Sequence, residues 1–212
     1  MVAVLGVGVR TGFDPQLDLD AEVSEALYAG DARTGALDWL LEVLTAPGLS
    51  WVRILLAAVV FVLLVRRSRM RLAAWVMAAV VLVAPLTAAL KEYFGRVRPD
   101  FVEGGARYET LSYPSAHSSG VATLVLVGLI VAWPRLSPAA RRAWLAAGGA
   151  LVLLVGLTRI WLGVHYLSDV VGGWALGLSW TLLSALLLGA LPGGPAALPA
   201  DEPAVAASDP PS

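Results

Sequence analysis

The stretch Thr158–Asp169, TRIWLGVHYLSD, decides the reading of this chain, because it sets an arginine, a histidine and an aspartate between two long apolar runs. Charge is expensive in such surroundings, so each of the three needs a physical reason. With helical geometry around His165, Asp169 follows one turn later, and its carboxylate can reach the imidazole and fix which ring nitrogen carries the proton. The other nitrogen is then a better nucleophile or base. Arg159, just upstream, carries a planar fork of donors suited to a phosphate or carboxylate. The competing reading is that His165 and Asp169 only staple a helix end to a loop, and the remainder of the chain has to decide between the two.

Composition sets the surroundings. Of 212 residues, 58% are hydrophobic and 15% charged, against about 25% charged in soluble domains. The sequence therefore predicts an all-α membrane protein, a polytopic transmembrane helix bundle. A net charge of −1 by itself says nothing about a nucleic-acid partner, the sign pattern along the chain mattering more than the sum, and no such partner is expected. The absence of cysteine excludes disulfides, thiolate metal sites and cysteine nucleophiles. With two histidines, His117 and His165, a histidine-rich metal centre cannot be built. Lys91 is the single lysine beside fourteen arginines.

Five full spans can be read outward from that stretch: about 48–65, 72–90, 116–133, 143–161 and 170–191. Arg53, near the start of the first, is placed to snorkel to the headgroups. The loops holding Arg66, Arg67, Arg69 and Arg71, and Arg135, Arg141 and Arg142, carry no acid, so both are expected in the cytoplasm. The Lys91–Ser115 loop and the His165 turn then share the outer face. Residues 11–50 are acidic, with Leu37, Leu40, Leu41 and Leu44 at helical spacing, and predict an amphipathic helix against membrane or bundle. The opening MVAVLGVGV is too short to span and has no signal-peptide features; it reads as the outer end of a truncated first span, completed by about 10 to 15 residues upstream.

Three charged clusters converge on the outer end. Lys91, Arg98 and Pro99 form the first, in KEYFGRVRP. Tyr113–His117, YPSAH, forms the second at a helix start, where unpaired N–H groups and the positive dipole end favour an anion. Arg159, His165 and Asp169 form the third. Taken singly, the cations are ordinary interfacial anchors and Ser115 an ordinary cap. Together, with both histidines and the only lysine on one face, they make a metal-free phosphoryl-transfer site.

K-x6-RP, PSxH and [ST]R-x5-H-x3-D, in this order over Lys91 to about Gly173, resemble the signature of the type 2 phosphatidic acid phosphatase superfamily. Ala116 stands where the family has glycine, and Thr158 where it usually has serine. The resemblance implies His165 as nucleophile, Asp169 as its orienting partner and His117 as acid and then base. Lys91, Arg98, Ser115, Ala116 and Arg159 would hold the phosphate, without metal or other cofactor. It further implies an integral membrane phosphatase acting on a lipid phosphate or pyrophosphate through a phosphohistidine, in the cell membrane with its site facing out. Undecaprenyl pyrophosphate is the first substrate expected, phosphatidylglycerophosphate or phosphatidate the next. A lipid phosphotransferase and a non-catalytic membrane relative are the alternatives. The chain divides into an amino-terminal end (1–50), a membrane-embedded phosphatase domain (51–191) and a disordered cytoplasmic tail (192–212). Oligomeric state is not legible.

Overall fold

A computed structural model describes residues 1–199, and the regular structure among them is helical, with no strand. Three helices precede the long spans: α1 (Val2–Thr11), α2 (Asp14–Leu27) and α3 (Gly35–Thr45). The bundle proper is α4 (Ser50–Arg66), α5 (Met70–Phe94), α6 (Ala116–Ala132), α7 (Pro138–Trp161) and α8 (Leu167–Leu187).

α5, α6 with the 3₁₀ turn after it, α7 and α8 are each long and apolar enough to cross a membrane. α3 and α4 qualify together as a fifth, broken span bent by 43°. The expected bundle therefore stands, and the amphipathic leucine segment is one limb of that broken span. Pro47 and Gly48, in the 3₁₀ turn Ala46–Gly48, mark the break. Leu41 of α3 is buried with Leu162 and Val164, which fixes this limb against the end of α7.

Three helix boundaries differ from expectation, each for a local reason. α5 continues to Phe94 and stops at Gly95, whose φ of 67° is the left-handed cap that glycine adopts without strain. Lys91 thus lies in the last turn rather than beyond it. α7 begins at Pro138 because Ser137 accepts a hydrogen bond from the Ala140 N–H and proline suits the first helical position. Arg141 and Arg142 are therefore helical, and Arg141 donates back to Trp133 O. α8 begins at Leu167, which puts Asp169 in its first turn.

The central pair is α6 and α8. Gly173 and Gly177 form a small-xxx-small face on α8, and a Cβ at either would collide with α6, at Ser115 O or Ser119 O. α5 is tied to α8 by Trp75 Nε1 donating to Ser184 Oγ (3.1 Å) and Trp180 Nε1 donating to Ala79 O (2.9 Å). α1 lies across the same end as the charged clusters, where the Tyr113 hydroxyl donates to Val2 O at 2.6 Å. Residues 192–199, expected to be disordered, form turns instead: Ala196 N–H donates to Gly189 O at 2.9 Å, and Leu198 is buried on the core. The rest of the expected disordered tail lies outside the described residues.

Candidate active site

The chain turns out of α7 at Gly163 (φ 68°) and re-enters helix at α8, and His165 sits in this short connection. It is not itself helical, contrary to the simplest reading of its spacing from Asp169. Asp169 reaches it by another route. As the third residue of α8, its Oδ2 accepts from the Tyr166 backbone N–H (2.9 Å), half of a capping box. The same oxygen lies 3.2 Å from His165 Nδ1. One carboxylate oxygen thus both caps α8 and bonds the His165 ring.

The tautomer follows from its neighbours. Ser112 Oγ donates to Asp169 Oδ2 and lies 3.3 Å from His165 Nδ1. On the other side of the ring, Arg98 Nη1 lies 3.2 Å from His165 Nε2. A guanidinium can only donate, so Nε2 must accept, and Nδ1 carries the proton toward the carboxylate. Nε2 therefore presents a lone pair toward a cation. Burial pushes the His165 pKa down to about 3, against the opposing pull of Asp169, so the ring stays neutral.

Behind Asp169 stands Arg96, which no motif in the sequence singles out. Arg96 Nη1 bonds Asp169 Oδ1 (2.9 Å) and Ser168 Oγ (2.7 Å), while Nη2 bonds Asp20 Oδ2 (2.7 Å). Asp20, from the acidic α2, also accepts from the Ser168 N–H at 2.8 Å. Burial works against the Arg96 charge, but Asp169 and Asp20 outweigh it and hold its pKa above the ordinary arginine value. Nothing in the spacing of eight carboxylates along 11–50 singles out Asp20; its burial, 1% exposed, does.

The expected phosphate-binding residues gather at this end. Arg98 is clamped by Val164 O (2.7 Å), Thr110 O (2.8 Å) and Thr110 Oγ1 (2.9 Å) beside His165. Lys91 Nζ donates to Leu111 O and to Ser112 O (3.1 Å), leaving one of its three N–H bonds for another partner. Ser115 Oγ accepts from the Ser118 N–H at 3.4 Å as cap of α6, and Ser115 N–H donates to Asp169 O at 2.9 Å. That second bond joins the starts of α6 and α8. Ala116 and His117 follow in the first turn of α6, where backbone N–H groups are unpaired. The His117 ring packs against Gly48, and among the described residues it has no hydrogen-bond partner in the protein. Arg159 is 4% exposed, donates from Nη1 to Thr45 Oγ1 (3.3 Å), and has an unpartnered Nε.

One expectation fails. Arg53 does not snorkel: it is 2% exposed and turned inward against Gly120 of α6, where a Cβ would overlap its guanidinium. A helix-end arginine reads the same on either face, and the glycine that admits it lies in another helix. Among the described residues, no cluster of three His, Cys, Asp or Glu side chains is arranged to hold a metal ion.

The sequence and the fold have counterparts. Residues 72–191 match the family model of the PAP2 superfamily. The chain belongs to that superfamily. Phosphatidylglycerophosphatase B of Bacillus subtilis is 38% identical over 96 residues, covering 44% of this chain and 46% of the relative. Lipid A 1-phosphatase of Rhizobium etli is 33% identical over 125 residues, 54% of this chain and 49% of the relative. The chain thus spans about half the length of the curated relatives it matches. A crystal structure of a transmembrane PAP2-type phosphatidylglycerolphosphate phosphatase from Bacillus subtilis superposes with TM-score 0.73, at 25% identity, over 88% of this chain and 91% of that one. LpxE of Aquifex aeolicus shares the fold, with TM-score 0.55 at 23% identity over 79% and 95% of the two chains. With its apolar helices, this PAP2 member is a multi-pass membrane protein.

Proposed function

We propose that this PAP2 protein hydrolyses a lipid phosphate or pyrophosphate through a phosphohistidine on His165. The observation that carries the proposal is the enforced tautomer: Asp169 holds Nδ1–H, so Nε2 offers its lone pair at the mouth of a cationic pocket.

In the first step Nε2 attacks phosphorus and the bond from phosphorus to the lipid oxygen breaks. Arg98, which faces Nε2, turns its N–H groups to the phosphoryl oxygens, joined by Lys91, Arg159, Ser115 and the backbone N–H groups of Ala116 and His117. His117 donates its proton to the leaving oxygen. In the second step water attacks the phosphohistidine, its proton passes to His117, the Nε2–P bond breaks and phosphate departs.

The arginine-rich loops at the opposite end support a site facing away from the cytoplasm. Undecaprenyl pyrophosphate is the favoured substrate, with phosphatidylglycerophosphate and phosphatidate next. Purified protein offered this panel should release inorganic phosphate from at least one lipid, and acid-labile radiolabel from a phosphorus-labelled lipid should remain on the wild-type protein after a rapid quench at high pH. Absence of labelled protein alongside rapid phosphate release would exclude the covalent step.

A further inference from the structure

The cations at the site sort into two groups. Arg98 and Lys91 lie on the His165 side, bonded to the His165 ring and to the Ser112 carbonyl. Arg53 and Arg159 lie on the other side, around the turn Ala46–Gly48. Arg159 reaches Thr45 at its start, Gly48 at its end touches the His117 ring, and Arg53 rests on Gly120, one turn along α6 from His117.

Arg53 is held only by its own helix, through Nε to Leu49 O (3.4 Å) and Nη2 to Ser50 Oγ (2.9 Å). Its Nη1 and the Nε of Arg159 are buried without partners. Among the described residues no carboxylate forms a salt bridge with Arg53, Arg98, Arg159 or Lys91. Asp169 and Asp20 share the single charge of Arg96, which leaves one negative charge to set against these four. Uncompensated cations buried in a membrane bundle are costly, and such groups are ordinarily kept for a ligand. A phosphate monoester brings about two negative charges, against four cations here. About one positive charge is left over, and Arg53, which has no part in holding the scissile phosphate, carries it on the side of the histidine expected to protonate the leaving group.

We propose that Arg53, with the free Nε of Arg159, binds a second phosphate group carried on the leaving-group side of the scissile phosphate. The substrate class is then a lipid with two neighbouring phosphate groups, either joined directly as a pyrophosphate or separated by a short polyol. The placement of the leaving group rests on the hydrolase reading above. Guanidinium suits the task because its fork donates two parallel bonds to phosphate oxygens.

The test separates binding from turnover. Inorganic pyrophosphate and inorganic phosphate are titrated into purified wild type, Arg53→Gln and Arg53→Lys by calorimetry. Wild type should bind pyrophosphate at least tenfold more tightly than phosphate. Arg53→Gln should lose that preference with phosphate affinity unchanged, and Arg53→Lys should keep part of it. Equal weakening of both ligands in Arg53→Gln, or no change in either, overturns the proposal. Gly120→Ala, which crowds the guanidinium without removing it, should lower the preference as well, and guards against a misfolded Arg53→Gln. In the turnover arm, Arg53→Gln should lose at least tenfold more kcat/KM on undecaprenyl pyrophosphate or phosphatidylglycerophosphate than on phosphatidate, and the lipid that loses more identifies the linkage. Pyrophosphate preference without any lipid hydrolysis would keep this site and sink the hydrolase reading; phosphatidate hydrolysis with no preference would do the reverse.

Discussion

Asp20 and Asp169 grip opposite ends of one buried guanidinium, that of Arg96, at 2.7 and 2.9 Å. The acidic helix before the membrane bundle is thereby tied to the carboxylate that bonds the His165 ring. Asp20→Asn should loosen this tie without touching the reacting atoms. Its kcat should fall about tenfold, a loss of about 1.4 kcal/mol in the barrier, with KM little changed. Asp20→Ala leaves Arg96 half-paired and should cost about 3 kcal/mol of stability. Steady-state kinetics and detergent-phase melting distinguish the two effects, and a KM change without a kcat change would argue against a positioning role.

His165→Ala should abolish hydrolysis, since it removes the nitrogen proposed to attack phosphorus. Asp169→Asn should retain a trace, lower than wild type by about 10³-fold or more, because an amide can hold the ring in the wrong tautomer. The same change also breaks the bridge to Arg96 and weakens the cap of α8. Phosphate release from each purified variant decides this, and wild-type turnover by folded His165→Ala would end the mechanism.

Stability should depend on pH through His165. Its folded pKa is depressed to about 3 by burial, below the unfolded value near 6.5. Below about pH 6.5 the unfolded chain takes up a proton that the native ring refuses, so stability falls as pH drops toward 3 and is untouched above neutrality. His165→Gln, which cannot titrate, should show a flatter melting temperature between pH 7 and pH 4 than wild type. Parallel curves for the two proteins would refute the assignment.

The end of the bundle that carries the candidate site was legible because Lys91, Arg98, His117, Arg159, His165 and Asp169 are conspicuous among apolar runs. Their partners were not legible. Asp20 is one of many acids in a polar segment, and Arg96 lies between Lys91 and Arg98 with nothing local to mark it. Arg53 faces inward only because Gly120, in a different helix, leaves room for it. Such long-range choices of face leave no periodicity in one strand of sequence. Helix ends were misplaced where a cap outweighed hydropathy, as Ser137 with Pro138 does for α7.

Orientation is the remaining prediction. If the arginine loops lie in the cytoplasm, the site opens on the other side of the membrane. The chain has no cysteine, so single thiols report position without background. Gly104 is unsuitable for this, since a side chain there would strike the Gly163 carbonyl. Val102, 69% exposed in the loop beside the site, and Ala139, exposed in the first turn of α7, are suitable. On intact cells an impermeant maleimide should label Val102→Cys and spare Ala139→Cys, and both should react once the membrane is opened. The reverse pattern would move the substrate to the cytoplasmic leaflet while leaving the site chemistry as it stands.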